Sequence, residues 1–166
     1  MGFNLYCQLL KATISQLRGE AVESTRDCNV YIDFIDYSLK TKSGKLSAAF
    51  PEEYINAPRL RLEAYRRLAG IRNRAELESF EKELVDRFGA LPDMAVTLIR
   101  CTRIRVMGIE AGVNSISLNG DKIIVEKGIE ILKQEGKIPR VGRSISLMDK
   151  LLGMECIVSN MFFYKK

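Results

Sequence analysis

The sequence of 166 residues contains no histidine. This absence excludes Ser-His-Asp and Cys-His catalytic groups and every zinc site with histidine ligands. The phosphate-binding loop G-x-x-x-x-G-K-[ST] is absent as well, because neither Gly44–Leu46 nor Gly136–Ile138 ends in the required Ser or Thr. No G-x-G-x-x-G occurs. An active site would have to be built from carboxylates, lysines or tyrosines, so the composition favours a binding domain, and we expect no cofactor and no metal ion.

Long apolar runs are also missing. No stretch approaches the roughly 18–20 apolar residues that a membrane span needs, and Met1–Gly19 lacks the basic leader of a signal peptide. The chain has four cysteines, Cys7, Cys28, Cys101 and Cys156, without a C-x-x-C pair. Reduced, partly buried thiols in a cytoplasmic protein are the expected state.

The charge excess is modest and uneven. The net charge is +5, and residues 101–166 hold 11 basic and 7 acidic side chains. A dedicated nucleic-acid binder usually has a denser basic stripe with aromatic residues beside it. A nucleic-acid-binding module based on this excess and on Arg100, Arg103 and Arg105 nevertheless remains an alternative, and duplex binding that falls steeply with salt would identify it.

The length suits one domain, and the hydrophobic patterns predict an α+β fold. We expect an N-terminal helix, a strand, three consecutive helices, and then a small, mainly antiparallel sheet with short helices. The predicted elements, in chain order, are a helix at Asn4–Leu17, a strand at Asn29–Asp36, a loop at Tyr37–Ala49, helices from Pro58, at Ala75–Phe88 and at Pro92–Glu110, strands at Ser115–Leu118 and Lys122–Glu126 joined by Asn119-Gly120, a helix at Lys127–Glu135, a strand at Pro139–Ile145, a helical turn at Ser146–Leu152, and a strand at Met154–Met161.

The most informative stretch runs from Asn73 to Val96. Asn73 can cap a helix, and Glu76 three residues later has capping-box spacing. An apolar stripe at helical spacing follows, and Gly89 suits the left-handed position after a helix end. Pro92 suits the start of the next helix. The stretch therefore predicts two helices joined at a glycine corner.

Charged residues on these helices are candidates for partner binding. Helix geometry places Glu76, Ser79, Glu83 and Asp86 on a stripe away from Phe80 and Leu84. In addition, Arg87 can pair with Glu83 one turn back. A second candidate is a basic face on the preceding helix, formed by Arg59, Arg66 and Arg67. The alternative for both surfaces is that they are simply helix faces exposed to solvent.

Four motifs, in the same order, resemble the C-terminal (TRCF-type) domain of the bacterial transcription-repair coupling factors, the Mfd family. They are G-F-N-L-Y (Gly2–Tyr6), F-P-E-E-Y-I (Phe50–Ile55), R-L-E-A-Y-R-R-L-A (Arg61–Ala69) and E-L-V-D-R-F-G-A-L-P (Glu83–Pro92). The resemblance extends from Gly2 to about Val113. It implies that residues 1–166 are one domain excised from a larger protein, with a surface-loop insertion of roughly ten residues within 37–49.

The resemblance also implies a function. Members of the family are ATP-dependent DNA translocases that remove stalled RNA polymerase and recruit the excision-repair protein UvrA. Their C-terminal domain has no catalytic residues, packs on a UvrB-like module and masks the UvrA-binding surface. The matching acids are Glu83 and Asp86, which would face basic residues of that module, with Glu76 nearby on the same helix. We accordingly expect a monomeric, non-catalytic regulatory domain. A nucleic-acid-binding module and a stand-alone enzyme are the other function classes.

Overall fold

The computed structural model describes residues 26–40, 42–143 and 146–164, so the helix predicted at Asn4–Leu17 lies outside the described residues. The strand predicted at Asn29–Asp36 is divided by a turn into β1 (Asn29–Ile32) and β2 (Ile35–Asp36). Phe34 and Ile35 are both buried. Successive side chains of a continuous strand point to opposite faces of the sheet. The turn between β1 and β2 is therefore needed for Phe34 and Ile35 to be buried on the same side.

The segment predicted as a loop at Tyr37–Ala49 is exposed only in its first part. Strand β3 (Leu46–Ser47) pairs in parallel with β2, and Leu46 N–H donates to the Phe34 carbonyl at 2.9 Å. Ala48 and Ala49 are buried against the core. The second half of the segment therefore belongs to the packed structure, although the sequence pattern there predicts none.

Three consecutive helices follow, as predicted: α1 (Pro58–Gly70), α2 (Arg74–Phe88) and α3 (Asp93–Ala111). Pro58 occupies the first turn of α1, where its missing N–H costs nothing. Gly89 follows α2 with a φ of 86°, a value that favours glycine. Helix α3 is the central element, since eleven of its 19 residues are buried.

The predicted β-hairpin is present. Strands β4 (Ser115–Asn119) and β5 (Lys122–Lys127) pair antiparallel across Gly120. The helix predicted at Lys127–Glu135 is wrong, because the chain turns at Gly128 and forms strand β6 (Glu130–Leu132) on β5. The sheet order is β1-β4-β5-β6, with β1–β4 parallel and the other two pairings antiparallel. The mainly antiparallel sheet and the α+β class are therefore confirmed.

The C-terminal strand predicted at Met154–Met161 is also wrong. Helix α4 (Leu147–Phe163) occupies this region and extends the helical turn predicted at Ser146–Leu152. Ser146 caps it by accepting a hydrogen bond from Asp149 N–H. The buried residues Leu151, Met154, Val158 and Met161 recur at helical spacing. That periodicity outweighs the β preference of Ile157 and Val158, which is a weak signal.

Of the strand predicted at Pro139–Ile145, the structure describes residues 139–143, which form a short extended connection. Ile123 N–H donates to the Pro139 carbonyl at 2.9 Å, and Val141 N–H donates to the Asp121 carbonyl at 2.8 Å. Between residues 139 and 143 the only strand-like pairing is one isolated antiparallel bridge, Lys122 to Arg140.

Helix α3 positions the other elements. It contacts α2 and α4 on its flanks, and β1, β3 and β4 beneath it. Gly108 allows a close approach to the sheet, because a Cβ at this position would overlap Cys28 Sγ and lie 3.0 Å from Ile116 Cδ1. In the described ranges no helix is both long enough and apolar enough to span a membrane.

Candidate partner-binding surface

The seam between α1 and α2 contains an ion-paired cluster around Glu83. Arg67 of α1 donates through Nη1 to Oε1 and through Nη2 to Oε2 of Glu83, both at 2.6 Å. Arg87, one turn along α2, donates to the same Oε1 at 3.1 Å. The first contact is bidentate, the geometry that makes arginine–carboxylate pairs strong and specific. We call Arg67, Glu83 and Arg87 the seam cluster.

Packing of the two helices explains this placement. Leu77, Phe80 and Leu84 turn into the core, and Glu83 precedes Leu84 by one helix position, on the flank that faces α1. Its side chain is 37% exposed. The expectation that Glu83 lies on a free stripe away from the core therefore needs correction, because α1 covers part of that flank.

Aromatic rings support both arginines of the seam cluster. The Arg67 guanidinium lies 5.2 Å from the centre of the Phe80 ring, and that of Arg87 lies 5.1 Å from the centre of the Phe88 ring. Cation–π contacts of this length stabilise a guanidinium group. The Arg67 hydrogen bonds, followed by those of Arg87, lower the pKa of Glu83 to about 2. Glu83 is therefore ionised at neutral pH and holds its two partners.

The other two acids of the predicted site have different surroundings. Asp86 is exposed, and none of its contacts within the described part of the chain is a hydrogen bond or ion pair. Glu76 is engaged at the N-terminus of α2, where its N–H donates to Asn73 Oδ1 at 2.9 Å and its carboxylate accepts from Arg72 N–H at 3.0 Å. The predicted cap is present, with Arg72 in place of Asn73 as the donor to Glu76. Asp86 is thus the acid best placed to receive a partner.

The three arginines of the basic face predicted on α1 have different surroundings in the structure. Arg59 and Arg66 are exposed, whereas Arg67 is committed to Glu83. The link between α1 and α2 joins residues 16 positions apart. Sequence periodicity within one helix carries no signal for such a pair, whereas the contact between Arg87 and Glu83 follows the predicted i,i+4 spacing.

The three arginines of α3 are used inside the domain. Arg100 and Arg103 both pair with Glu155 of α4, at 2.8 and 3.3 Å, and Arg103 also pairs with Glu81. Arg105 is 4% exposed and donates to the Leu68 and Ile71 carbonyls at 3.0 Å, and it pairs with Asp27 at 3.1 Å. These side chains join α3 to its neighbours. Glu155 is absent from the predicted site residues because the sequence pattern around it predicts a strand.

No group of three or more potential metal-ligating side chains occurs in the ranges that the structure covers. The chemistry available at the α1–α2 seam is therefore that of carboxylates and guanidinium groups. Such a surface can exchange or share charge-assisted hydrogen bonds with a partner that carries basic side chains.

The sequence comparisons with known proteins all point to the same family. A sequence model of the TRCF domain matches residues 45–133. Among similar proteins are the transcription-repair-coupling factors of Haemophilus influenzae (31% identical, covering 64% of this chain and 9% of that protein), Escherichia coli (29%, 76% and 10%) and Mycobacterium tuberculosis (33%, 70% and 9%). The chain thus spans about a tenth of the length of these relatives.

The fold has a counterpart among solved structures. A crystal structure of the C-terminal domain of a transcription-repair coupling factor superposes with a TM-score of 0.59 and 17% sequence identity, covering 88% of this chain and all of that one. At 17% sequence identity, this superposition shows similarity of fold alone. The family match covers more than half of the chain, and the chain therefore belongs to the TRCF domain family of transcription-repair coupling factors.

Proposed function

We propose that this chain is a regulatory interaction domain of a longer transcription-repair coupling factor, and that it acts by docking rather than by catalysis. In this proposal the domain packs on a UvrB-like module of the same protein and masks that module's UvrA-binding surface. The parent protein would be an ATP-dependent DNA translocase that engages RNA polymerase. Support comes from family membership and from the coverage of about a tenth of the relatives' length.

The observation that carries the docking proposal is the exposed carboxylate of Asp86 beside the half-exposed carboxylate of Glu83. They are three residues apart on α2, so they project to neighbouring points of one surface. Both belong to the motif E-L-V-D-R-F-G (Glu83–Gly89) that resembles the family signature. Two carboxylates so spaced suit a partner that presents arginines.

Nucleic-acid binding through α3 is less well supported. Arg100, Arg103 and Arg105 are all engaged in internal ion pairs. Binding a phosphate backbone would require these cations to leave carboxylates that already neutralise them, and Arg105 would have to leave the core. Other basic side chains of the described ranges, such as Lys122 and Lys127, are exposed and lie outside α3.

Calorimetric titration of the domain with the separately expressed UvrB-like module tests the proposal. Asp86→Asn removes the charge of a side chain that has no ion pair within the described ranges, so we expect the fold to be unaffected and docking to weaken. Truncating one partner of a desolvated interfacial charge pair costs about 2–5 kcal/mol, whereas an exposed pair contributes about 0–1 kcal/mol.

Glu130→Gln is the matched control, because Glu130 is an exposed acid on β6, outside α1 and α2. It should leave docking unchanged. If Asp86→Asn and Glu83→Gln both bind as the wild type does, the docking surface lies elsewhere. The exposed pair Arg59 and Arg66 on α1 would then be the next surface to test.

A further inference from the structure

A groove of about 590 Å³ lies between strand β6 and the C-terminal turns of α4. Its floor is apolar, because Val113 and Met161 are buried and Leu132 and Phe162 pack partly buried against the core. Polar side chains form the rim on the strand side and on the helix side. An apolar floor framed by polar residues is typical of an interaction site, and it suits one face of an amphipathic helix.

The N-terminal segment of the chain joins the described structure beside this groove. Asn29 begins β1, and its N–H donates to the Asn114 carbonyl at 2.9 Å. Asn114 follows Val113 of the groove floor in the sequence, and its Oδ1 accepts a hydrogen bond from Gly128 N–H. The chain therefore enters the sheet at the end where the groove lies.

The entry point is also held near α4. Asp27 pairs with Arg105 at 3.1 Å and with Arg72 at 3.4 Å. Two residues after Arg72, the guanidinium of Arg74 lies 4.0 Å from the centre of the Phe163 ring, at the end of α4. Residues 27–29 are thus close to the sheet side and to the helix side of the groove.

Residues 1–25 precede this entry point and lie outside the described residues. In their sequence Leu10, Ile14 and Leu17 recur at the spacing i, i+4, i+7, which is the spacing of anchors in helix-in-groove recognition. At about 100° per residue, Ser15 falls on the other side of such a helix. The segment therefore has one apolar face to bury.

The length of the connection allows this segment to reach the groove. Residues 18–25 separate Leu17 from the first described residue, and eight extended residues span at most about 26–29 Å. Strands β1 and β6 are the two edges of a four-stranded sheet, about 14 Å apart at the usual strand spacing. The connection is thus longer than the distance it has to cover.

We propose that residues 4–17 occupy the groove as an amphipathic helix, with Leu10, Ile14 and Leu17 on its apolar floor. The occupant is a segment of this chain, and the inference is independent of the docking proposed for Glu83 and Asp86. Docking of the segment joins β6, the end of α4 and the entry of the chain into one packed unit.

Cys7 serves as a native reporter for the test, because it precedes Leu10 by three positions and lies beside the apolar face of the helix. Lys133 and Asn160 are exposed on the strand side and the helix side of the groove. In a Cys156→Ser background, Lys133→Cys and Asn160→Cys are each treated, in the full chain, with a short bis-maleimide crosslinker. Peptide mass mapping then identifies which cysteines are joined and at what rate.

Lys122→Cys is the matched control. Lys122 is exposed at the end of β5 opposite to Lys127 of the groove wall, about 17 Å away along the strand. We expect Cys7 to crosslink at both groove positions at least about tenfold faster than in the control, since a docked thiol is held beside its target whereas a free tether spreads it over the whole reach of the chain.

A second set of variants changes the segment instead of the groove. Leu10→Gln together with Ile14→Gln should lower both groove crosslinking rates to that of the control, because polar side chains lose the gain from burial on the apolar floor. Ser15→Ala, on the other side of the helix, should leave the rates unchanged. Thermal melts followed by circular dichroism show whether each variant is folded.

Three results would overturn the inference. The first is an equal crosslinking rate for Lys122→Cys and the two groove variants. The second is groove crosslinking that Leu10→Gln with Ile14→Gln does not reduce. The third is crosslinking only between two molecules, which would mean that a second copy of the chain fills the groove. None of these results concerns Glu83 or Asp86, so the proposed function is tested separately.

Discussion

Gly108 on α3 is the position where one methyl group should change stability most clearly. A Cβ there would overlap Cys28 Sγ and lie 3.0 Å from Cys28 Cβ and from Ile116 Cδ1. Cys28 and Ile116 are both completely buried, so any shift that relieves the clash must repack the core. Gly108→Ala therefore forces α3 away from β1 and β4.

Two opposing effects set the magnitude. Overpacking a core costs about 1–3 kcal/mol, whereas replacing glycine by alanine inside a helix contributes about 1 kcal/mol of stability. Because the clash involves two buried side chains, we expect the upper part of the first range and a net loss of about 1–2 kcal/mol. For a domain of this size that corresponds to a melting temperature lower by about 2–8 °C.

Gly153→Ala in α4 is the matched control. Among the described residues its Cβ would meet only Val141 Cγ1, at the ordinary distance of 4.0 Å. The helix preference should therefore dominate and raise stability by about 0.5–1 kcal/mol. Urea unfolding followed by circular dichroism measures both variants. If Gly108→Ala is as stable as Gly153→Ala, the close packing of α3 on the sheet is refuted.

Three further predictions follow from the described contacts. The pKa of Glu83 is lowered to about 2 from an ordinary value of 4.5. Its ion pairs therefore stabilise the fold above pH 4.5, and this stabilisation is lost as the pH falls towards 2. The difference in unfolding free energy between the wild type and Glu83→Gln should shrink across that pH interval, and a constant difference would contradict the pairing. Burial raises the pKa of the Cys28 and Cys101 thiols to about 12, so iodoacetamide at pH 8 should label the exposed Cys156 and spare these two until the protein unfolds, as peptide mass mapping would show. Because the sequence has no phosphate-binding loop, Mg-ATP should not raise the melting temperature of the domain, and saturable micromolar binding would contradict a purely regulatory role.

The parts of the fold that could be predicted are those with strong local signals. Asn73 marks a helix start through its capping side chain, Pro58 and Gly89 mark helix ends through their backbone preferences, and Asn119-Gly120 marks a hairpin. The predictions failed where short apolar runs suit either structure. Met154–Met161 has a helical period and β-branched residues at once, and tertiary packing against α3 decides between them.

For the candidate site, the sequence predicted contacts within one helix but not contacts between helices. The spacing of Glu83 and Arg87 predicts their contact, and the family motif points to Glu83 and Asp86. The pairing of Glu83 with Arg67 depends on how α1 packs against α2, which no local pattern encodes. The same limit applies to Arg100 and Glu155, since their contact requires that α4 be a helix lying on α3.

Capture of UvrA by the full-length coupling factor tests the central claim most directly. The comparison is between the intact protein and one that carries Asp86→Ala together with Glu83→Ala, both shown by their melting curves to be folded at the assay temperature. If this domain masks the UvrA-binding surface through these acids, the double variant should bind UvrA without first engaging its target, while the wild type should not. Equal UvrA binding by both proteins would contradict the account.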